Sequence, residues 1–305
     1  MKQNRSVVIW TTIAIFVLIT AIGFLLVSGR WRDASDDSAA QTINSKNAGS
    51  KKGDQAANLF SDFKAGKETL LNRHFKNVSD GAFDSQTPAK ESRIFCWNEG
   101  NKTFEKVNLD LVEVSPILSP DKFSGAQSAD LNGNAIEEKY DLQDGKLTVT
   151  ENEKVIWQSA DDWWVEDFTL FDSTNDGVVD INLSVWKSGS FGKFKPFWIK
   201  QDDPSVKNHF FIFDWKDGKI KPIWQSSNLD APNCQILVND VNNDGQNELI
   251  VTEGDYADAP DCRGKYIAVW KWNEWGFLNE WRSEGGEFEG VEVEGVESKK
   301  CIRVF

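Results

Sequence analysis

Histidine is scarce in this sequence, with only two copies among 305 residues. The two copies, His74 and His209, lie far apart along the chain. This scarcity argues against a His-rich transition-metal site. It also leaves no evident Ser-His or Cys-His arrangement of the kind that activates a catalytic nucleophile.

Positive charge is also in short supply, because 34 Lys and Arg stand against 48 Asp and Glu, for a net charge of −14. This balance argues against nucleic acid and anionic membrane surfaces as partners, and it suits a secreted or surface domain that binds cations. Aromatic residues are abundant instead, with 14 Trp and 20 Phe beside a single Met. Rings in this proportion favour packed β-sheets over a helical bundle.

Residues 7 to 27 form an uncharged run of 21 residues. At about 1.5 Å per residue, a helix of this length spans roughly 30 Å, enough for the hydrocarbon core of a bilayer. We expect a transmembrane signal-anchor over 7–28, a cytoplasmic N-terminus over 1–6, and a cell-membrane protein whose C-terminal domain lies outside the cytoplasm. The alternative is a cleaved signal peptide, but neither its shorter apolar core nor its cleavage site is evident.

Residues 29–91 are expected to form a flexible linker that carries one short stem helix. The part from Asp33 to about Ala56 is polar and almost free of apolar residues, which is typical of a flexible chain. From about residue 57 to residue 76, apolar residues recur at near-helical spacing, which predicts an amphipathic helix. We expect this helix to act as a stalk or as a lid on the domain, rather than to bind a partner.

The rest of the chain is organised around an Asp- and Asn-rich loop between two apolar runs. Asp240, Asn242 and Asp244 stand at alternate positions, Gly245 permits a sharp turn, and Glu248 returns a carboxylate. Calcium takes roughly six to eight oxygen ligands, which alternate side chains and a backbone carbonyl can supply. The strand-like flanks and the earlier final acid exclude an EF-hand. The alternative is an ordinary hairpin turn, which favours the same residue types.

This loop, which we call loop C, occurs in two further copies, and the recurrence favours metal binding over a simple turn. Loop A spans residues 130–138 and loop B residues 172–180. Loop A has Ala135 where the glycine belongs. The candidate metal ligands are Asp130, Asn132, Asn134 and Glu138 in loop A, Asp172, Thr174, Asp176 and Asp180 in loop B, and Asp240, Asn242, Asp244 and Glu248 in loop C.

A longer repeat surrounds these loops from residue 92 onward. One strand enters the loop and a second leaves it, a third ends at a turn, and a fourth runs to a Trp-x-Ser motif. The turn is Asp-Gly at residues 144–145 and 217–218, which is a hairpin signature. The Trp-x-Ser motifs begin at Trp157, Trp224 and Trp281. Such a unit is typical of a propeller blade.

Each end of the repeat region holds half a unit. Residues 93–107 look like a third and a fourth strand, whereas residues 288–305 look like a first and a second strand. Joined, they complete one blade and leave no sheet edge open. The sequence therefore predicts an all-β fold over 92–305, a small β-propeller of about four four-stranded blades that is closed by pairing the N- and C-terminal strands.

The four cysteines fit this assignment as two disulfides. Cys96 and Cys301 fall on strands that should be neighbours, and neighbouring strands lie ~4.8 Å apart, within reach of a disulfide. Cys234 and Cys262 flank loop C and its second strand, so in an oxidising compartment their bond would close this part of the chain. A bond from Cys96 to Cys234 or Cys262 would contradict the blade assignment.

Loop C resembles the calcium loop of FG-GAP/VCBS repeats, the blades of integrin-α-type β-propellers. The resemblance covers about residues 92–305, although the Phe-Gly and Gly-Ala-Pro signatures of the family are not literally present. It implies Ca²⁺ as the cofactor that stiffens each blade, with the metal ligands at the positions named for loops A, B and C. It also implies extracellular binding of a protein, matrix or glycan ligand.

One unit carries an insertion at residues 187–209 that is basic and aromatic in an otherwise acidic protein. Because propellers place functional residues in the loops at their faces, this insertion is a candidate site for a sugar or an anionic glycan. The alternative is a long hairpin whose rings cover the neighbouring blade. The candidate ligand-binding residues are Phe191, Lys193, Lys195 and Trp198.

Three functions are compatible with these features. The first is a membrane-tethered, non-catalytic calcium-binding propeller that binds a glycan, a cell-surface protein or a matrix protein. The second is an extracytoplasmic carbohydrate-active hydrolase or lyase, since propellers host enzymes that use paired carboxylates. The third is a structural subunit of an envelope complex. Fold alone does not decide among them, because function depends on the site.

Overall fold

A computed structural model of the chain describes residues 50–79, 92–107, 125–192, 195–296 and 299–305. The predicted cytoplasmic N-terminus, the signal-anchor, most of the linker and the side chain of Lys193 lie outside these ranges. Within them, the model contains no helix that is both long enough and apolar enough to cross a membrane.

The described ranges contain one α-helix and sixteen strands. Helix α1 covers Ser50–Ser79. The strands are β1 (Arg93–Asn98), β2 (Thr103–Val107), β3 (Gly125–Ala129), β4 (Glu138–Gln143), β5 (Lys146–Glu151), β6 (Lys154–Gln158), β7 (Trp163–Phe171), β8 (Asp180–Ser188), β9 (Val206–Lys216), β10 (Lys219–Gln225), β11 (Asn233–Asn239), β12 (Glu248–Glu253), β13 (Tyr266–Trp272), β14 (Phe277–Arg282), β15 (Val291–Val296) and β16 (Lys299–Val304).

The strands form four antiparallel sheets of four strands each, which confirms the all-β prediction and the four-stranded repeat. Sheet 1 contains β3 to β6, sheet 2 contains β7 to β10, and sheet 3 contains β11 to β14, each in chain order. Sheet 4 has the order β15-β16-β1-β2. It is therefore built from the two ends of the repeat region, as the half-units at those ends predicted.

The junction of the two chain ends in sheet 4 is a pair of neighbouring strands joined by a disulfide. Cys96 on β1 lies directly opposite Cys301 on β16, with their Cα atoms 4.4 Å apart. The second disulfide joins Cys234 to Cys262, with a Cα–Cα distance of 5.3 Å. Both cysteine pairs are the ones expected from the sequence. The first bond joins positions 205 residues apart and so ties the first strand of the repeat region to the last.

The hairpin turns have the backbone that their residues predicted. Asp144 and Gly145 have φ angles of 48° and 71°, and Asp217 and Gly218 have 55° and 70°. Two successive positive φ angles are the mark of a type I′ turn, which matches the twist of the flanking strands. These turns join β4 to β5 and β9 to β10 and fix the register of both hairpins.

The Trp-x-Ser motif has a structural explanation in sheets 1 to 3. The Ser159 amide donates to the Leu147 carbonyl at 2.9 Å, and the Ser159 hydroxyl accepts from the Leu147 amide at 3.1 Å. The same two bonds join Ser226 to Phe210 and Ser283 to Ile267. The serine lies just beyond the last residue of the fourth strand. From there it bonds both the backbone N–H and the backbone carbonyl of one residue on the neighbouring third strand.

Each motif tryptophan packs on an aromatic ring of the next sheet along the chain. Trp157 of sheet 1 lies 5.4 Å from Phe213 of sheet 2, measured between ring centroids. The later contacts are Trp224 with Phe277 at 5.6 Å and Trp281 with Phe104 at 5.3 Å. Contacts of this geometry contribute beyond the area they bury. They place sheets 1, 2, 3 and 4 in succession.

The first strands of the sheets are joined in the same order by hydrogen bonds from side chains. A polar side chain on the first strand of sheets 1, 2 and 3 accepts a backbone N–H from the first strand of the next sheet. The donor–acceptor pairs are Leu170 N–H to Gln127 Oε1 at 3.3 Å, Ile236 N–H to Asp167 Oδ2 at 2.8 Å, and Val291 N–H to Gln235 Oε1 at 3.0 Å. The first-strand hydrogen bonds and the contacts of the fourth-strand tryptophans therefore give the same order of sheets, from 1 to 4.

Helix α1 is longer than predicted and belongs to the same compact unit as the sheets, Gly49–Phe305. It begins at Ser50 rather than near residue 57, and it ends at Ser79 rather than near residue 76. Residues 51–56 lack the apolar periodicity from which the helix was predicted. Lys51, Lys52 and Gln55 have good helix propensity whereas Gly53 and Asp54 do not, and a helix that has already formed extends through such residues more easily than it nucleates.

The docking face of helix α1 is built around small and aromatic residues. Phe60 and Leu71 are buried in a cluster that includes Trp164, Trp186 and both cysteines of the second disulfide. Gly66 is required by a close approach, since a Cβ there would lie 2.6 Å from Pro260 Cγ. The helix is therefore an integral layer on sheet 2 rather than a free stalk.

A fully buried ion pair lies at the centre of this contact. Lys67 of α1 bonds Glu166 of β7, and both side chains have 0% exposure. The Lys67 ammonium also lies 5.6 Å from the Trp186 ring centroid and 5.7 Å from that of Phe63. Rings at this distance stabilise a cation that has lost its water.

Replacing Lys67 by Met is expected to destabilise the domain by about 3 kcal/mol or more, because it leaves the Glu166 carboxylate buried without a counter-charge. Adding Glu166→Gln should restore much of the loss. Denaturant unfolding of the single and double variants measures the coupling. Lys64→Met, one turn earlier on the same helix, is the control and should have a small effect. Additive losses in the double variant would contradict the pairing.

Candidate functional site

Loops A, B and C have the same backbone hydrogen bonds although their sequences differ. The first Asp of each loop accepts the amides four and five residues later. In loop C, Asp240 accepts from Asp244 at 3.2 Å and from Gly245 at 3.1 Å. The corresponding pairs are Asp172 with Asp176 and Gly177 in loop B, and Asp130 with Asn134 and Ala135 in loop A. The first carboxylate therefore folds each loop around itself.

The last acid of each loop closes it from the opposite end. Glu248 accepts the Val241 amide at 3.1 Å, Asp180 accepts the Ser173 amide at 2.9 Å, and Glu138 accepts the Leu131 amide at 2.8 Å. All three acids are fully buried. The first and last candidate ligands of each loop thus both accept backbone amides of that loop, the first acid from residues four and five positions later and the last acid from the residue next to the first.

Loop A keeps this conformation even though it lacks the glycine. Gly177 and Gly245 have φ angles of 87° and 84°, and Ala135 has a φ angle of 65° at the same position. A left-handed backbone costs a non-glycine residue roughly 1–2 kcal/mol, which the bonds to Asp130 offset here. Ala135 is therefore a strained residue in a loop that keeps the conformation of loops B and C.

Replacing Ala135 by Gly is expected to stabilise the protein by about 0.5–1 kcal/mol, because relief of the strain exceeds the added entropy of the unfolded chain. Gly245→Ala and Gly177→Ala should destabilise it by about 1 kcal/mol or more. A Cβ at either glycine meets nothing within 4 Å, so the two variants isolate the backbone effect. Thermal unfolding at one fixed calcium concentration measures all three. A loss of stability in Ala135→Gly would contradict the shared conformation.

Two loops contain buried oxygen atoms that have no hydrogen-bond partner among the described residues. These are Thr174 Oγ1 and Asp180 Oδ1 in loop B, and Glu138 Oε1 in loop A. A buried oxygen without a partner is costly, and a bound cation is one way to satisfy it. Burial raises the pKa of Asp180 to about 6, and it also raises the pKa of Glu138. The partnerless oxygens of both loops are therefore of the kind that fit a calcium ion.

Loop C satisfies its last acid differently. Glu248 Oε1 accepts a hydrogen bond from the side-chain amide of Asn242 at 3.1 Å, and the Lys271 ammonium lies 3.8 Å from the same oxygen. Lys271 also bonds Asp244 directly. Burial raises the pKa of Glu248 to about 7. In the described part of the chain, no three His, Cys, Asp or Glu side chains are grouped as metal ligands.

Loops B and C are joined to each other. The Asn175 side chain donates to the Asn247 carbonyl at 3.1 Å and accepts the Asn247 amide at 2.5 Å. The Asn247 side chain in turn donates to the Asp172 carbonyl at 2.8 Å. Asn247 therefore positions the first residue of loop B, and it is a contributor that the loop motif alone did not indicate.

The insertion at 187–209 is fastened at its base and exposed at its tip. The Asp202 carboxylate accepts the amides of Ser190, Phe191 and Gly192 at 2.9–3.2 Å. Phe197 and Trp198 form an edge-to-face pair with centroids 4.8 Å apart, and they are 92% and 67% exposed. Both rings therefore keep most of their surface exposed within the described part of the chain.

The four candidate residues of the insertion have different surroundings. Trp198 is exposed, whereas Phe191 is half-buried. Lys195 donates to the Ile199 carbonyl and so closes the tip on itself. Phe197, which the sequence analysis did not name as a candidate, is more exposed than both Phe191 and Trp198. Its position next to Trp198 in the sequence was the signal that could have identified it. Lys193 lies outside the described residues.

His209 lies at the end of the insertion and is fully buried. Its Nδ1 is 3.2 Å from the Ser226 carbonyl. Burial, with a further contribution from the Lys187 charge, lowers the pKa of His209 to about 4. The native state therefore resists a proton that the unfolded chain accepts below pH ~6.5.

The native protein should lose stability through His209 as the pH falls from about 6.5 to about 4, by roughly 3 kcal/mol at the lower end. Above about pH 6.5, His209 is neutral in both the folded and the unfolded state, so it does not make stability depend on pH. The variant His209→Gln keeps a hydrogen-bond donor but does not titrate, so its stability should depend less on pH across this range. Denaturant unfolding of both proteins between pH 4 and pH 7 gives the comparison. Parallel curves would contradict the assignment.

A cleft of 360 Å³ lies beside loop C. Hydrogen bonds from Lys102 and Trp97 lower the pKa of Glu99, whereas burial raises the pKa of Glu280. The cleft therefore places two carboxyl groups with pKa shifts in opposite directions beside one indole ring. The lining residues are Trp97, Glu99, Lys102, Asn242, Asp244 and Glu280.

Comparison with known proteins adds no relative: no family model and no curated protein matches this sequence.

Proposed function

We propose that this protein is a calcium-binding β-propeller of the FG-GAP/VCBS type, displayed outside the cytoplasm by an N-terminal membrane anchor, and that it binds a ligand without chemical turnover. The observation that carries the proposal is the conformation shared by loops A, B and C, together with the buried oxygens left without partners in loops A and B. The propeller is supported by the order in which the four sheets contact one another.

Calcium would be held by the side-chain oxygens of the loops. In loop B these belong to Asp172, Thr174, Asp176 and Asp180, of which the last is fully buried. The carboxylates repel one another when no cation is present. A cation that binds only the native state removes this repulsion and stabilises the blade by mass action.

Calcium at a hundredfold excess over its dissociation constant should stabilise the protein by about 3 kcal/mol per site relative to chelator. Asp180→Asn should remove the part of this gain that belongs to loop B. Asp217→Asn is the control, since Asp217 lies in a hairpin turn and pairs with Lys221. Calorimetric melting in calcium and in chelator measures the effect. Identical melting curves of the unmodified protein in the two conditions would refute the metal role.

The ligand is proposed to be a glycan held by the exposed rings of the insertion. Sugar rings stack on aromatic faces, and Phe197 and Trp198 present two such faces beside basic residues. The tip of the insertion is basic, whereas the rest of the protein carries an excess of acidic residues. Envelope proteins and matrix proteins are further candidates for the same surface.

Hydrolysis is a second candidate function, and the cleft is the observation that favours it. A glycosidase needs one carboxyl group that stays protonated and another that stays ionised. The raised pKa of Glu280 and the lowered pKa of Glu99 have these directions.

The double variant Phe197→Ala/Trp198→Ala is expected to lose at least tenfold in glycan affinity, because stacking on each ring contributes on the order of 1 kcal/mol or more. Its melting transition should stay in place, since both rings are exposed. Trp275→Ala is the control, because that ring is 79% exposed but lies outside the insertion. A glycan array followed by titration measures binding. Turnover that disappears in Glu280→Gln would instead establish the hydrolase.

A further inference from the structure

Loop C differs from loops A and B in the residue that faces its last acid from the third strand. In sheet 3, Glu248 on β12 pairs directly with Lys271 on β13. The Lys271 ammonium contacts Asp244 and lies 3.8 Å from Glu248 Oε1. Its side chain is only 22% exposed, so it is held against these carboxylates and not freely solvated.

The same position is acidic in the other two sheets. In sheet 2, Ile181 pairs with Phe213, so the next position places Asp214 opposite Asp180. In sheet 1, Lys139 pairs with Thr150, so Glu151 stands opposite Glu138. Glu151 accepts from the side chains of Asn132 and Asn134 at 2.9 and 2.6 Å, so it is part of loop A.

The partnerless oxygens divide the loops in the same way. The loops that face an acid, A and B, contain fully buried carboxylates with one oxygen that lacks a partner among the described residues. In loop C, both oxygens of Glu248 have neighbours that donate to them or carry positive charge. A calcium ion at loop C would have to lie close to the ammonium, and two like charges at such a distance repel.

We propose that Lys271 supplies the cation of loop C from within the chain, and that only loops A and B take calcium. This inference rests on the proposed calcium function. Loop C is then closed at any calcium concentration. Through Asn247, which binds the Asp172 carbonyl and the Asn175 side chain, it holds one side of loop B in place before a metal ion arrives.

Calcium stoichiometry of the full-length chain, measured by equilibrium dialysis and by titration calorimetry, tests the assignment. We expect two ions per chain for the unmodified protein. Lys271→Glu, which copies the acid of loop A, should bind three. Lys271→Met should also bind three, with the third ion held about tenfold more weakly, because it removes the ammonium without adding a ligand. Lys265→Glu is the charge-matched control outside the loops and should bind two.

Two further variants keep the test decisive if the Lys271 variants do not fold. Asp180→Asn should bind one ion, whereas Glu248→Gln should still bind two. Three ions on the unmodified protein, or a loss of one ion in Glu248→Gln, would overturn the inference and leave the calcium function standing. No ion on the unmodified protein would instead refute the calcium function. The role of Lys271 would then hold only if Lys271→Glu gains an ion.

Discussion

The pairing of β1 with β16 is the contact on which the rest of the architecture depends. Sheets 1 to 3 are built from strands adjacent in sequence, so each can form from local hairpins. Sheet 4 alone needs residues from both ends of the repeat region, and its disulfide spans 205 positions. Closing so long a loop costs conformational entropy, which the covalent bond removes from the unfolded state. With the two ends joined, Trp281 and Gln235 of sheet 3 have a complete next sheet to contact.

In loops A, B and C, the backbone conformation and the local charge are set by different residues. The first and last acids accept backbone amides and set the conformation, which is why loop A keeps it with Ala135 at a positive φ. The charge of the site depends on a third-strand residue that lies outside the loop. Lys271 and Glu151 face equivalent acids with opposite charge. A sequence motif of this kind therefore predicts a fold of the loop more securely than it predicts a metal ion.

Sequence reasoning succeeded where a residue's role is local or periodic. Asp-Gly pairs, alternating strands and the Trp-x-Ser repeat predicted four sheets, their turns and the neighbouring cysteines. It failed where distant segments meet outside the repeated strand pattern. Lys67 and Glu166 are 99 positions apart, so nothing in the helical pattern of α1 indicated a buried charge. Asn247 lies beyond the alternating ligand positions, and its contacts with loop B are 72 and 75 positions away. Lys271 could have been found from strand register, but only once β12 and β13 had been aligned.

A set of loops with mixed cations has a thermodynamic consequence for the domain. If every loop required calcium, removal of the ion would leave repelling carboxylates in three sheets at once. With Lys271 in loop C, sheet 3 keeps its internal charge pairing, and sheet 4 is held by its disulfide. Under the proposed function, calcium would act on sheets 1 and 2, and the Asn175–Asn247 contact would carry its effect to sheet 3. The insertion follows β8 of sheet 2, so the sheet that carries the proposed ligand surface is also one whose stability would depend on the proposed calcium ion.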